Sequence, residues 1–147
     1  LQHLGVQTDH ISIRTSYQGE PDYRDRIEKG REIRVHGLQY LLENLNNDQK
    51  LLIVDDVYGS GSSVNAVIKQ LSERLKKNMP SNYKVAVPWY KPSKNTSGRV
   101  PDFYVHETDE WLVLPYELVG LNTNEIASNK PGVSDILSSI KVNEKLN

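Results

Sequence analysis

The sequence predicts an α/β domain built on a parallel sheet, from one apolar strand, the loop after it and the helix that follows. Residues 50–54, Lys50 followed by four apolar residues, form a run of strand length. Such a run is typical of a parallel strand covered on both faces, so we expect this strand to lie centrally in the sheet. After a Gly/Ser loop, apolar residues follow helical spacing: Val64, Val67, Ile68, Leu71 and Leu75. Strand, loop and helix in this order favour an α/β fold.

The other predicted elements are short. Alternating or apolar runs predict further strands over 10–15, 32–36, 83–87, 103–105 and 111–114. Helical spacing predicts helices over 38–45 and 133–140. The segment 16–30 is polar and contains Gly19 and Pro21, which predicts a loop.

Composition excludes several classes of protein. The 147 residues carry a formal net charge of −1 and contain no cysteine. A near-zero charge gives no field that would attract nucleic acid or an anionic membrane, and the absence of cysteine removes disulfides, thiolate chemistry and cysteine-bound zinc. No signal peptide or membrane-spanning run is legible, so we expect a cytoplasmic protein with no nucleic-acid or membrane partner. The four histidines show no metal-ligand spacing.

The segment that points to chemistry begins where the apolar strand ends. Asp55 and Asp56 are followed by the small-residue loop 59–63 and then by the predicted helix. Small residues let backbone N–H groups converge on phosphate oxygens, and a helix N-terminus adds its dipole. Paired carboxylates can accept hydrogen bonds from ribose hydroxyls or hold Mg²⁺. The loop lacks the lysine of an ATP-binding P-loop and the third glycine of a dinucleotide fingerprint, so both are rejected.

Residues 51–63 resemble the signature of the type I phosphoribosyltransferases: a hydrophobic strand, two acids and a small-residue loop. The resemblance implies a Rossmann-like parallel-sheet core with a small C-terminal hood. It gives Asp55 and Asp56 the catalytic role. It also implies a phosphoribosyl-binding set: Val57, Tyr58, Gly59, Ser60, Gly61, Ser62 and Ser63.

The second half of the chain is similar to the purine branch of that family, the xanthine-guanine and hypoxanthine-guanine enzymes. The similar segment is 88–117, which would form the base-binding hood. The resemblance implies that Lys91 donates to a purine 6-oxo group, that Trp111 stacks on the base and that the Leu112 backbone contacts the base edge. These roles suit a point-charge donor and a large aromatic face.

Two looser matches concern a lid and a metal. Ser16 and Tyr17 resemble the Ser-Tyr pair of the flexible lid in hypoxanthine-guanine enzymes, which places the lid over 16–30. Glu117 stands where that branch has an acid near a second Mg²⁺. The implied cofactor is therefore Mg²⁺, with a ligand set of Asp55, Asp56 and Glu117.

The resemblance implies transfer of a phosphoribosyl group from 5-phosphoribosyl-1-pyrophosphate (PRPP) to a purine-like nucleobase, which gives a nucleoside 5′-monophosphate and pyrophosphate. Such an enzyme would serve purine salvage, normally as a homodimer. We expect residues 1–121 to form the phosphoribosyltransferase domain and residues 122–147 a C-terminal tail.

The sequence departs from the family at two places. The 6-oxopurine enzymes carry an acid after the hydrophobic pair that follows the double carboxylate, and this chain has Gly59 there. The family's first strand and pyrophosphate loop should precede a helix ending near Val6, so we expect the sequence to be a fragment, short at its start. Two alternatives stay open: a non-catalytic module that binds phosphoribosyl ligands or nucleotides, and a degenerate subunit that acts only as a dimer partner.

Overall fold

The computed structural model describes residues 3, 5, 6, 8–17, 33–119, 123–130, 132 and 133. In these ranges the strands are β1 (Arg14–Tyr17), β2 (Ile33–His36), β3 (Lys50–Val54), β4 (Val57–Tyr58), β5 (Asn82–Tyr90) and β6 (Phe103–Glu107). The α-helices are α1 (Gln39–Asn44), α2 (Ser62–Leu75) and α3 (Thr123–Asn129). Short 3₁₀ helices lie at Lys76–Asn78, Pro92–Lys94 and Pro115–Leu118. The chain forms two compact units, Leu1–Asp109 and Glu110–Asn147.

The main sheet of the first unit is parallel, with β5 at its centre. β3 and β4 both pair with β5 on one side, and β6 pairs with β5 on the other. Lys50 is in register with Asn82, and Val57 is in register with Trp89. Because the register is the same in both pairings, β3 and β4 are two parts of one interrupted strand. The predicted parallel-sheet α/β class is confirmed.

The interruption lies between Val54 and Val57. The Asp55 N–H still donates to the Ala86 carbonyl at 3.2 Å, and pairing resumes at Val57. By the same register Asp56 lies opposite Pro88, which has no N–H to offer to a sheet. The gap in pairing therefore lies beside Pro88, while β5 itself continues without a break.

Burial changes phase across this break. Ile53, Val85 and Val87 are buried before it, and Tyr58 and Tyr90 are buried after it. Strict alternation from Ile53 would turn Val57 inward and Tyr58 outward. The break reverses this, so both tyrosines enter the core.

One face of the sheet is covered by α2. This helix buries four residues of the predicted stripe: Val64, Val67, Leu71 and Leu75. They form one hydrophobic cluster with Ile53, Val85 and Val87 of the sheet. The predicted helix is confirmed.

The expectation that the strand over 50–54 is central and covered on both faces is wrong for the described part of the chain. There β3 pairs with β5 alone, and β5 is the central strand. Leu52 and Val54, on the face away from α2, are 44% and 69% exposed. An apolar run shows that a strand avoids polar residues, but it does not show which neighbours the strand has.

Several other predicted elements are shifted or absent. The strand expected over 10–15 is observed as β1, so Ser16 and Tyr17 belong to a strand that pairs antiparallel with β2, and only residues 18–30 of the expected loop fall outside the described residues. The strand expected over 111–114 is wrong, since those residues have no regular secondary structure. A short apolar run cannot by itself be assigned to a strand without a partner to pair with. The helix expected over 133–140 lies outside the described residues beyond Val133.

Asp102 closes the amino end of the main sheet. Its carboxylate accepts hydrogen bonds from Lys84 Nζ at 2.8 Å and from the Val85 N–H and an Arg99 guanidinium nitrogen, each at 2.9 Å. The Lys84 hydrogen bond, with the other two donors, lowers the pKa of Asp102 to about 2.

None of the helices in the described ranges has the length and apolarity needed to cross a bilayer.

Candidate functional site

Asp55 and Asp56 occupy the strand break, at the carboxyl end of β3. The Asp56 N–H donates to Asp55 Oδ1 at 3.1 Å, and the Val57 N–H donates to Asp56 Oδ1 at 2.6 Å. Asp55 is half-buried, whereas Asp56 is exposed. The backbone therefore orients both carboxylates, in the sheet position where α/β folds bind their ligands.

The two acids differ electrostatically. Burial raises the pKa of Asp55; the hydrogen bond from the Asp56 N–H opposes this shift, and the Asp56 charge adds to it. Ionised Asp55 is thus held in an environment that disfavours its charge. A carboxylate kept at a cost to stability is typical of functional sites.

The loop after β4 leads directly into α2. Gly61 precedes the helix with φ +76°, a left-handed conformation. Ser60 Oγ accepts the Ser62 N–H at 3.2 Å and lies 3.0 Å from Ser62 Oγ. Because the first-turn amides of a helix have no partners within the helix, this loop presents amides and hydroxyls at the positive end of the helix dipole. Such an arrangement can bind a phosphate.

The two loop glycines differ in what requires them. A Cβ at Gly61 would lie 2.6 Å from both Ser97 Oγ and Tyr58 Oη, and its backbone is left-handed, so only glycine fits. A Cβ at Gly59 would meet nothing within 4 Å. Packing therefore requires Gly61 and leaves room for a side chain at Gly59.

Tyr58 lies beneath the loop, with 1% of its surface exposed. Its ring meets the Tyr90 ring edge-on, with 6.0 Å between ring centroids, and its hydroxyl lies 3.0 Å from Ser97 Oγ. The Tyr58 side chain therefore supports the loop from the protein interior.

Lys91 directly follows β5 and stands at the same sheet edge. Its N–H donates to the Tyr58 carbonyl at 2.9 Å, and the residue is half-buried. The structure thus brings the acid pair, the loop and Lys91 together.

Three more of the predicted site residues are not part of the first unit. Trp111, Leu112 and Glu117 belong to the second unit, where the Trp111 side chain is 66% exposed. The Glu117 carboxylate pairs with the Lys130 ammonium and accepts the Leu114 N–H at 3.3 Å. The Lys130 hydrogen bond lowers the pKa of Glu117.

The two predicted lid residues belong to β1. Ser16 is in register with Arg34 and Tyr17 with Ile33. The Ser16 hydroxyl lies 3.1 Å from His36 Nε2. The rest of the predicted lid lies outside the described residues.

Sequence reasoning missed Asn95 and Ser97, which lie under the loop. The pattern shows only a polar turn here, since Asn, Ser and Gly are common in turns of every kind. Their contacts depend on tertiary packing, which no local signal announces.

Neither a family model nor a curated protein sequence matches the chain. Solved structures do match. A hypoxanthine phosphoribosyltransferase from Staphylococcus aureus is 14% identical with a TM-score of 0.52, over 80% of this chain and 55% of that one. The chain has the phosphoribosyltransferase fold. The fold implied by residues 51–63 is thereby confirmed.

Two further structures are similar. A hypothetical protein from Neisseria gonorrhoeae with bound ppGpp is 22% identical with a TM-score of 0.52, over 79% of this chain and 63% of that one. A purine phosphoribosyltransferase from Pyrococcus horikoshii is 27% identical with a TM-score of 0.49, over 75% of this chain and 62% of that one. The chain therefore spans between 55% and 63% of the lengths of these three proteins.

We predict that Asp55→Asn stabilises the protein at pH 7. A carboxyl whose pKa is raised by folding binds its proton more tightly in the folded state, so its ionisation lowers stability as pH rises through the folded pKa. Melting temperature should rise by a few degrees at pH 7, and the gain should vanish as pH falls below the ordinary carboxyl pKa of about 3.9.

Asp102→Asn is the matched control, with the opposite sign. The pKa of Asp102 is lowered to about 2, so its contribution is present above the ordinary pKa and is lost as pH falls toward 2. Melting temperature should fall at pH 7. If Asp55→Asn lowered it as much as Asp102→Asn, the account of Asp55 would be wrong.

Proposed function

We propose that this protein transfers a 5-phosphoribosyl group from PRPP to a purine-like nucleobase, releasing pyrophosphate and giving a nucleoside 5′-monophosphate. The observation that carries the proposal is the junction of an acid pair with a loop of amides and hydroxyls, suited to a phosphate, at one edge of a parallel sheet. That junction lies at the carboxyl end of β3, within a phosphoribosyltransferase fold.

The loop would bind the 5′-phosphate. Amides of the first turn of α2 and the hydroxyls of Ser60, Ser62 and Ser63 are suitable donors. A phosphate oxygen that accepts the Ser62 N–H would replace Ser60 Oγ, which accepts it at 3.2 Å. The Ser60 hydroxyl donates to Ser62 Oγ at 3.0 Å and would turn from it to donate to the ligand.

Asp55 and Asp56 would bind the ribose and carry the catalytic role. Their carboxylates can accept hydrogen bonds from the vicinal ribose hydroxyls, one on each side of the chain. When pyrophosphate departs, positive charge develops on the ribose, and nearby carboxylates stabilise it. Holding the sugar and the base in line would supply the rest of the rate enhancement.

The donor set also fits Mg²⁺ that arrives with the diphosphate. Among the described residues no three His, Cys, Asp or Glu side chains are grouped as a metal site. Mg²⁺ is commonly held by one or two carboxylates together with substrate phosphates, so Asp55 and Asp56 suffice. When bound, the ion neutralises charge on the leaving diphosphate. Glu117, the third ligand that the resemblance implies, pairs with the Lys130 ammonium.

Lys91 would bind the base, and the resemblance to the purine branch assigns Trp111 and Leu112 to the same role. The Lys91 N–H donates to the carbonyl of Tyr58, the residue that precedes the loop 59–63. The exposed Trp111 ring offers a stacking face. A 6-oxopurine suits this set, since the ammonium of Lys91 can donate to a carbonyl oxygen.

A second candidate function is nucleotide binding without catalysis. Gly59 favours it, because no side chain there can remove a proton from the base. The Neisseria protein of the same fold has bound ppGpp, which supports a guanine nucleotide as the ligand in that case.

Two measurements on the wild-type protein separate these candidates. Calorimetry with PRPP and Mg²⁺ reports binding, and pyrophosphate release in the presence of each nucleobase reports turnover. We expect both binding and turnover. Binding without turnover for any base would favour the second candidate, and absence of PRPP binding would contradict the proposed transfer.

We predict that Asp56→Asn and Lys91→Ala separate into two kinetic classes. Asp56→Asn removes charge that acts in the transition state and should lower kcat by about 100-fold. Lys91→Ala removes a donor to the base and should raise KM for the base by about tenfold with little change in kcat. Steady-state kinetics with each substrate varied in turn gives both values. Small, equal effects for the two variants would sink the assignment.

We predict that Gly59→Asp folds normally and increases turnover with 6-oxopurines. A side chain at this position meets open space, so melting temperature should be unchanged. A carboxylate there adds a general base, which contributes about 100-fold in favourable cases. Gly59→Asn is the matched control of the same shape without the charge. Equal turnover for both variants would exclude proton removal from this position.

A further inference from the structure

The hydroxyl of Tyr58 starts a chain of hydrogen bonds beneath the loop. Tyr58 Oη lies 3.0 Å from Ser97 Oγ, and Ser97 Oγ lies 2.7 Å from Asn95 Oδ1. Asn95 Nδ2 donates to Tyr90 Oη at 3.1 Å. We call these four residues, Tyr58, Tyr90, Asn95 and Ser97, the support network. It ties both tyrosines of the core to the segment that follows β5.

Each polar atom of Asn95 has a partner. Its Oδ1 accepts from the Ser97 N–H at 3.0 Å as well as from Ser97 Oγ, and its Nδ2 donates to the Arg99 carbonyl at 2.9 Å as well as to Tyr90. With its proton on Asn95, Ser97 Oγ accepts from Tyr58 Oη and from the Arg99 N–H at 3.1 Å. A network satisfied in this way has one defined geometry.

The same segment touches the loop directly. The Thr96 N–H donates to the Ser60 carbonyl at 3.3 Å. Ser97 Oγ and Tyr58 Oη stand so close to Gly61 that a Cβ there would lie 2.6 Å from each. Thr96 and the support network therefore hold Ser60 and Gly61 in place.

The Tyr58 hydroxyl is not needed to fill space. Phenylalanine would occupy the same buried position and keep the edge-on contact with Tyr90, whose ring centroid lies 6.0 Å away. What phenylalanine would lose is the hydrogen bond to Ser97. The Tyr58 hydroxyl therefore contributes the hydrogen bond to Ser97 under the loop, whereas the ring alone fills the core.

We propose that Asn95 and Ser97, acting through Tyr58, are positioning residues that hold the loop in its phosphate-binding conformation. The inference rests on the proposed function of the loop. Donors held in place before the ligand arrives bind it without the cost of ordering, so freeing Ser60 and Gly61 weakens phosphate binding.

The test measures affinity for ribose 5-phosphate by calorimetry. Tyr58→Phe and Ser97→Ala should each weaken binding by about tenfold, the effect of losing one hydrogen bond and its ordering. Ser97→Thr keeps the hydroxyl and should bind within about twofold of the wild type. The double variant should bind no more weakly than either single variant, because all three lack the same contact.

A kinetic readout separates positioning from general loss of structure. KM for PRPP should rise by about tenfold in Tyr58→Phe and Ser97→Ala, with KM for the base unchanged. Tyr40→Phe is the matched control, because it removes a tyrosine hydroxyl that is outside the support network. Tyr40 lies in α1, and its hydroxyl donates to Asp9 Oδ2 at 2.7 Å. This variant should bind as the wild type does.

Three results would overturn the inference. Wild-type affinity in both Tyr58→Phe and Ser97→Ala would show that the network does not act on the loop, and the proposed function would stand. Equal increases in both KM values would indicate general damage. No binding of ribose 5-phosphate to the wild type would contradict the proposed function and the inference with it. Ser97→Ala, in a turn outside the core, keeps the test valid should Tyr58→Phe unfold.

Discussion

Pairing between β5 and its neighbour stops at Asp55 and resumes in the same register at Val57. This interruption releases two carboxylates from a regular strand while keeping them at the edge of a rigid sheet. It also reverses the phase of burial, so that Tyr58 turns beneath the loop. The position of the two acids and the inward turn of Tyr58 beneath the loop both follow from this one break.

Two acids of the same sheet lie in opposite electrostatic environments. At the amino end, Asp102 accepts three hydrogen bonds and stabilises the start of β6. At the carboxyl end, burial disfavours the charge of Asp55. The Asp102 carboxylate contributes to folding stability, whereas the ionised Asp55 carboxylate lowers it. This difference is consistent with the proposed site at the carboxyl end of the sheet.

Local patterns predicted the parts of this site that depend on local chemistry. The strand over 50–54 and the stripe of α2 could be predicted from sequence because each follows from periodicity. The need for glycine at Gly61 could not, because it depends on contacts with Ser97 and Tyr58. The inward turn of Tyr58 could not, because it requires a pairing break that involves β5. Asn95 and Ser97 carried no signal, since their partners are distant in sequence. The strand expected over 111–114 failed because an apolar run does not provide its own partner.

Amide chemical shifts during titration with ribose 5-phosphate test the central claim most directly, because they report where the ligand binds. The claim is that residues 59–63 and the start of α2 form a phosphate cradle next to Asp55 and Asp56. The account predicts saturable shifts of the Ser60 to Val64 amides. It predicts smaller shifts at Thr96 and Ser97, which contact the loop. Saturable shifts confined to another part of the chain, or no shifts at millimolar ligand, would contradict it.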